Sequence, residues 1–330
     1  MKTEIAILHN NKILDREQAR AILNRMLIGD LNPSSIASFL TVYNMRQPTV
    51  EELHGFVEAI MESCIRIDLD AENAIDIVGT GGDGKNTFNI STLSSIVVAA
   101  AGIRVIKHGN YGSSSISGSS DVLEKLGYRF TNDESTLRRQ LEAVNICFLH
   151  APLFHPLMSK LKQVRKELNL QTVFNLLGPL TNPASPGKQM LGVSHQAHIR
   201  RYKYLLDETD KVYSIIHSMD GYDEISLTGG FKVTRKHETN LFYPEDIGMQ
   251  KIAAQSIVAG DSVSDAVEIF LNILQGKGTS QQEMVVVANS AFAIQCVHPE
   301  RDIALCIEIA KTALSSGKAY QVLNKIIELS

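Results

Sequence analysis

Residues 76–92 read Asp-Ile-Val-Gly-Thr-Gly-Gly-Asp-Gly-Lys-Asn-Thr-Phe-Asn-Ile-Ser-Thr, and they combine groups that can hold an anion. The apolar run at 74–78, broken only by Asp76, predicts a strand that stops at Gly79. Four glycines in the next six positions (Gly79, Gly81, Gly82, Gly84) admit backbone conformations and close approaches that a Cβ would block. Asn89, Ser91 and Thr92 then precede a helical stretch at 93–101. Strand, glycine turn and hydroxyl-rich helix start together point backbone N–H groups at an anion. An ordinary strand-to-helix loop can share these glycines, so a second feature is needed.

Residues 107–121 supply it: Lys-His-Gly-Asn-Tyr-Gly-Ser-Ser-Ser-Ile-Ser-Gly-Ser-Ser-Asp. Six serines and three glycines surround Lys107 and His108, giving hydroxyl donors, accessible backbone and positive charge in one loop. A flexible linker would have a similar composition. This loop instead runs from a strand-like stretch at 103–106 into a helical one at 121–126. Two such loops at strand C-termini suggest one phosphorylated ligand held at the sheet edge, where α/β folds bind ligands.

Several separated motifs, in order, resemble the anthranilate phosphoribosyltransferase family. They are Gly79-Thr80-Gly81-Gly82-Asp83, Asn89-Ile90-Ser91-Thr92, Lys107-His108-Gly109-Asn110, the run from Phe174 to Pro183, and Asp223-Glu224. The resemblance runs from about residue 10 to the end. Thymidine-phosphorylase-like enzymes share the fold and a related glycine turn. The acidic pair and Val164-Arg165-Lys166-Glu167-Leu168 favour the anthranilate family.

The resemblance implies a pentosyltransferase of tryptophan biosynthesis. It joins the phosphoribosyl group of phosphoribosyl pyrophosphate (PRPP) to the amine of anthranilate and releases pyrophosphate. Such a reaction needs the leaving charge neutralised, which Mg²⁺ does as a Lewis acid held by few carboxylates. By resemblance Asp223 and Glu224 bind Mg²⁺, with Ser91 as a further oxygen ligand. Asp223 and Glu224 are expected in a turn entering a strand at 225–228. Gly79, Gly82, Asp83, Thr87, Asn89, Ile90, Ser91 and Thr92 are expected to contact the donor from the first loop. Lys107, Gly109, Ser115 and Ser119 are expected to do so from the second, and either loop can take either phosphate. Asn110 resembles the residue that touches the aromatic amine. His108 is expected to position rather than to transfer a proton, because an aromatic amine is already neutral at pH 7. Arg165, on a small-domain helix, is implied as partner of the anthranilate carboxylate, which a planar guanidinium can grip with two hydrogen bonds.

Two positions depart from the commoner family pattern. Tyr111 stands where many members have Arg, and Ile116 where many have Lys. Two cations are therefore missing near the phosphates.

The elements that position these loops follow from periodicity. Asp15 can cap a helix carrying Ala19, Ile22, Leu23, Met26 and Leu27, which Gly29 can end. Asn32-Pro33 opens a second helix, and Thr49 with Glu52 forms a capping box for a third. Strand-like stretches at 74–78, 103–106, 145–149, 189–193, 212–217 and 225–228 are separated mostly by helices, which argues a largely parallel sheet covered on both faces. Residues 231–243 read as two short strands, and the chain beyond 262 as mainly helical. The expected fold is α/β: a small all-helical domain at 1–70, and a larger domain at 74–150 and 185–330 whose mostly parallel central sheet is flanked by helices and binds the phosphoribosyl group. The resemblance returns 155–180 to the helical domain.

Bulk properties exclude other classes. With 330 residues about two domains are expected. A net charge of −4 gives no nucleic-acid footprint, which speaks against a non-catalytic nucleic-acid-binding relative. A pyrimidine nucleoside phosphorylase on the same fold would need no acidic Mg²⁺ pair. The longest strictly apolar stretch, 96–101, is far short of the roughly 20 residues that cross a bilayer. No secretory signal is evident, and four scattered cysteines lack metal-ligand spacing, as expected of structural thiols in a reducing cytoplasm. A homodimer is implied by resemblance alone.

Overall fold

Helix ends in the N-terminal region are set by the caps the sequence offers. In the computed structural model, which describes residues 2–112 and 116–330, Asp15 accepts from the Gln18 amide at 2.8 Å to open the helix Arg16–Ile28. Gly29 closes it with φ +88°, a left-handed conformation suited to glycine. Asn32 caps Pro33–Met45, and Thr49 with Glu52 forms the reciprocal box that starts Val50–Glu62. A short helix, Lys2–His9, precedes these three.

These helices belong to one of two compact units, Met1–Ile67 with Ala151–Pro183. Its core is built on Phe39, Tyr43 and Phe56, which meet edge to face with ring centroids 4.9–5.6 Å apart. At Gly55 a Cβ would lie 2.2 Å from the Arg16 carbonyl, so glycine lets helices Arg16–Ile28 and Val50–Glu62 approach closely. The segment after residue 150 adds short helical pieces, among them Lys162–Leu168 and Phe174–Leu177.

Glu52 ties this unit together. Its carboxylate is fully buried and accepts from the amides of Leu14 and Thr49, the Tyr43 hydroxyl and both terminal nitrogens of Arg46. Burial pushes its pKa up, but Arg46 and the two amides outweigh that, and the net shift is downward.

The second unit, Asp68–His150 with Ala184–Ser330, holds a seven-stranded sheet. The strands are β1 (Ile75–Gly79), β2 (Val105–Gly109), β3 (Ile146–His150), β4 (Lys188–Gly192), β5 (Val212–Ser218), β6 (Phe231–Thr234) and β7 (Thr239–Phe242). Their spatial order is β3-β2-β1-β4-β5-β6-β7, parallel through β5 and antiparallel for the last two. Helices Ile90–Ala100 and Ser280–Val297 bury nearly continuous apolar runs in its core, as a fully covered parallel sheet requires. This is the expected α/β architecture.

One expected strand is absent. Residues 225–228 form a buried irregular loop in which Leu227 takes a left-handed φ of +58°. Its backbone is satisfied by side chains and by the Ile252 amide, which donates to the Leu227 carbonyl at 3.0 Å, instead of by a neighbouring strand. Asn289 Oδ1 accepts from the Ile225 amide at 3.0 Å, and its Nδ2 donates to the Ile225 carbonyl at 2.9 Å.

Glu52→Ala leaves Arg46 and Tyr43 without their acceptor and should cost about 3–5 kcal/mol, read as a lower urea midpoint by circular dichroism. Because the folded pKa is depressed, the stabilisation is complete above the ordinary value of 4.5 and is lost as pH falls through the lower folded value. Glu52→Gln should therefore be less stable near neutral pH and lose less stability on acidification than the parent.

Candidate active site

Three of the parallel strands, β1, β2 and β4, end in glycine where a loop begins. Gly79 of β1 and Gly192 of β4 are register partners. Both face Asp223, which lies on the loop between β5 and β6. A Cβ at Gly79 would stand 2.3 Å from Asp223 Oδ2, and one at Gly192 would stand 1.5 Å from the Asp223 carbonyl oxygen. Asp223 is thus seated on two strand ends that only glycine leaves open, its carboxylate on Gly79 and its backbone carbonyl on Gly192. The Gly81 amide, on the turn with φ +63°, donates to Asp223 Oδ2 at 2.6 Å.

Glu224 turns to the start of helix Ile90–Ala100. Its Oε1 accepts from the Ser91 amide at 2.9 Å, and Thr87 Oγ1 lies 3.5 Å from Oε2. Ser218 Oγ donates to the Glu224 carbonyl at 2.6 Å, pinning the loop to the end of β5. Burial raises both carboxyl pKa values. Asp83 raises that of Asp223 further, and Asp223 and Asp83 do the same for Glu224. The cluster is short of positive charge.

Lys107 supplies part of it. The side chain is buried on β2, and its ammonium donates to the Ile77 carbonyl and to Ser91 Oγ at 3.4 Å. Burial lowers its pKa, while Asp76, Glu224 and Asp223 oppose that shift. The ammonium therefore sits behind the acidic pair, where its neighbours are the Ile77 carbonyl and Ser91.

The remaining expected residues divide by position. Asn89 links the two loops: its Nδ2 donates to the Ser117 carbonyl at 3.4 Å, and Ser117 Oγ donates to its Oδ1 at 3.3 Å. Asp83 Oδ1 accepts from the Lys85 amide at 3.0 Å. Gly82 has φ +73°. Ile90 and Thr92 are buried in the helix base, so their side chains face the core rather than the loop. The His108 amide donates to Asp76 Oδ1 at 3.3 Å, and its ring is buried. At Gly109 a Cβ would lie 2.3 Å from Ser119 Oγ, which donates to the Asn110 carbonyl at 3.3 Å. Asn110 Oδ1 accepts from the Tyr111 amide at 2.8 Å. Ser115 lies outside the described residues.

Tyr111 has a structural partner where a cation was missing. Its hydroxyl donates to Glu124 at 2.8 Å, and its ring meets His150 edge-on at 4.7 Å. Ile116 is partly exposed and forms no charge contact.

In the helical unit, Arg165 lies on Lys162–Leu168 with its guanidinium 5.4 Å from the Phe174 ring centre. Burial lowers its pKa, and among the described residues no carboxylate pairs with it. An unpaired, half-desolvated guanidinium over an aromatic ring is suited to a flat aromatic acid.

Three contributors escaped the sequence reading: Gly192, Ser218 and Asn289. Asn289 left a signal: with Ser290 it is the polar interruption of the otherwise apolar run 284–294. Gly192 left none, since a single glycine at a strand end is common.

A glycosyl transferase family profile for the a/b domain matches residues 71–320, and the profile for that family's helical bundle domain matches 3–64. An anthranilate phosphoribosyltransferase of Flavobacterium johnsoniae is 49% identical, with all of both chains covered. The crystal structure of anthranilate phosphoribosyltransferase from Thermus thermophilus superposes with a TM-score of 0.92 at 28% identity, covering 99% of this chain and 98% of that one. The Saccharomyces cerevisiae enzyme in complex with PRPP and Mg gives 0.89 at 27% identity, over 96% and 93%. The chain therefore has the two-part build of a glycosyl transferase, and it belongs to the anthranilate phosphoribosyltransferase family.

Gly192→Ala should displace the Asp223 loop, because the new methyl would overlap a backbone carbonyl rather than a yielding side chain. We expect a destabilisation of about 1–3 kcal/mol in a thermal melt. A melt equal to the parent would show that the seat is not tight.

Proposed function

We propose that this protein transfers the 5-phosphoribosyl group of PRPP to the amine of anthranilate, releasing pyrophosphate. The observation that carries this reading is the seated Asp223–Glu224 pair in a chain related over its full length to anthranilate phosphoribosyltransferases. In the reaction the C1–O bond to pyrophosphate breaks, the C1–N bond forms, and the amine gives up one proton.

The acidic pair fits Mg²⁺. Asp223 is buried and Glu224 half-buried, the two share a negative field with Asp83, and the ammonium of Lys107 opposes it, so the set lacks the charge a divalent cation supplies. Among the described residues no group of three or more His, Cys, Asp and Glu is arranged to hold a metal ion. That suits Mg²⁺, which takes one or two carboxylates and fills its shell with water and substrate phosphate. Asp223 and Glu224 would hold it with Ser91 Oγ. When bound, Mg²⁺ neutralises charge on the pyrophosphate leaving group.

The chain's own groups do the rest. Gly79 and Gly192 fix Asp223, while Ser218 and Asn289 hold the loop that carries both carboxylates. Lys107 orients Ser91 and offsets the carboxylate charge. Thr87, Asn89, Gly109, Asn110 and Ser119 offer polar groups to the donor and amine. The His108 backbone amide donates to Asp76 Oδ1 and so ties β2 to β1. Arg165 pairs with the anthranilate carboxylate. Rate enhancement of this kind comes mainly from orientation and fixed charge.

A nucleoside phosphorylase reading leaves the acidic pair without a role, and a nucleic-acid-binding reading conflicts with the net charge of −4. We place the enzyme in the cytoplasm: its four cysteines are free, and no helix of the described residues is long and apolar enough to cross a membrane. A homodimer through the helical unit is part of this reading. That unit exposes Ile28, Met45 and Leu170, and sedimentation of the purified protein tests it.

Loss of anthranilate fluorescence in the presence of PRPP, with and without Mg²⁺, tests the activity; no turnover with both substrates and Mg²⁺ would refute it. The double variant Asp223→Asn, Glu224→Gln should lower kcat by about a hundredfold or more while the fold persists. Near-normal turnover in that variant would remove the metal assignment. Arg165→Ala should raise the anthranilate KM roughly tenfold to hundredfold, the equivalent of about 1.5–3 kcal/mol for one charge-assisted partner. Its PRPP affinity by calorimetry should stay close to that of the parent, and Lys at this position should rescue only in part.

A further inference from the structure

The two loops at the strand ends, 79–92 and 107–121, contain one lysine each and no arginine. Lys107 is buried with its ammonium committed to the Ile77 carbonyl and Ser91. Lys85 is the other. It is exposed on the glycine turn, and its ammonium stands 4.9 Å from the centre of the Tyr222 ring. Tyr222 immediately precedes the acidic pair and is itself almost fully buried, so the ring is a fixed platform.

The backbone under Lys85 is fixed as well. The Lys85 amide donates to Asp83 Oδ1 at 3.0 Å. Asn86 donates through Nδ2 to the Gly260 carbonyl at 3.1 Å and accepts at its own carbonyl from the Ala259 amide at 2.8 Å. Left-handed residues flank the lysine on both sides, Gly84 at φ +68° and Asn86 at φ +50°. At Gly221, beside Tyr222, the position a Cβ would take lies 3.8 Å from Lys85 Cε, so the lysine stem packs against that glycine.

Asp83 and Asp220 both act on Tyr222, raising its pKa after burial, so carboxylates are close at hand. Yet among the described residues Lys85 forms no ion pair. A lysine held by an aromatic face keeps its charge available to a third party, because a cation–π contact leaves the ammonium hydrogens free to donate. The donor for this site brings phosphate at both ends.

We infer that Lys85 is a further donor-binding residue, its ammonium meeting a phosphate of PRPP from the outer rim of the glycine turn. This rests on the reading of the site as a phosphoribosyl transferase. Tyr222 is its positioning partner, setting where the ammonium waits. The contact is exposed, so it acts through charge and is screened by salt, unlike the buried groups beneath.

Lys85→Met keeps the stem and removes the charge. At low ionic strength it should raise the PRPP KM about three- to tenfold, with kcat and the anthranilate KM within about twofold of the parent. Lys85→Arg should restore most of the loss. The difference should shrink at high salt, where the Debye length falls to about 3 Å at 1 M. Calorimetry with inorganic pyrophosphate and Mg²⁺ on parent and Lys85→Met gives a readout that needs no turnover. If the parent does not turn over but pyrophosphate binding still falls in Lys85→Met, the transferase reading fails and the anion contact stands. Equal pyrophosphate affinity and equal PRPP KM in parent and Lys85→Met overturn the inference. So does a loss that persists undiminished at high salt, since that marks a distorted loop.

Discussion

An aspartate pressed onto the ends of two parallel strands, its carboxylate on one and its backbone carbonyl on the other, is the constraint around which the α/β unit is arranged. Asp223 can occupy that place because β1 and β4 both end in glycine at the same register, and neither position has room for a methyl group. Burying an ionisable group is costly unless it is hydrogen-bonded and its charge is met. The surrounding sequence answers that cost in pieces: the Gly81 amide for Asp223, the Ser91 amide for Glu224, and Lys107 from the strand behind. The loop that carries the pair gives up regular structure to do so. Asn289 and Ser218 take over the hydrogen bonds that a strand at 225–228 would have formed with a neighbour.

Those bonds explain how the glycine turn works here. The sequence suggested that its amides, with the helix start, point at phosphate. The structure shows Gly81 and Ser91 already committed to the acidic pair. Helix Ile90–Ala100 therefore begins on a carboxylate, and the favourable end of its dipole steadies Glu224. The glycine turn and the acidic loop are one electrostatic unit. The serine loop joins them through Asn89 and Ser117. A change in any one of the three is felt by the other two.

Much of this was legible before the fold was known, for reasons that differ by element. Caps at Asp15, Asn32 and Thr49 are local chemistry, so helices Arg16–Ile28, Pro33–Met45 and Val50–Glu62 could be read from their first turns. Short apolar runs separated by helical stretches revealed the parallel strands, whose two faces are both covered. The stretch 225–228 misled because Ile-Ser-Leu-Thr alternates like a strand; what decides against it is Leu227 in a left-handed conformation and an asparagine 64 residues away. Gly192 was invisible for the same reason, since its role exists only once Asp223 is folded against it. Lys107 was legible as the cation next to the serine loop, but the direction of its ammonium was not, because a central strand offers no local sign of which carbonyl a lysine will reach.

The serine loop shows how position can be kept without the expected charge. Asp121 Oδ2 accepts from the amides of both Gly112 and Gly118 at 2.8 Å, closing the loop at its neck. Gly118 has to be glycine, because a Cβ there would lie 2.3 Å from the Gly112 nitrogen. Tyr111 adds a bond to Glu124 and a contact with His150, which in turn bonds Ser120 at 2.8 Å and stacks on Phe130. An arginine at position 111 could offer its charge to a phosphate; a tyrosine turns its hydroxyl to Glu124 and its ring to His150. With Gly81 and Ser91 turned to carboxylates and Tyr111 turned to Glu124, recognition of an anionic donor falls to groups outside those commitments. Among the described residues of the two loops, the exposed cation is Lys85, and the hydroxyl set at the neck is Ser119.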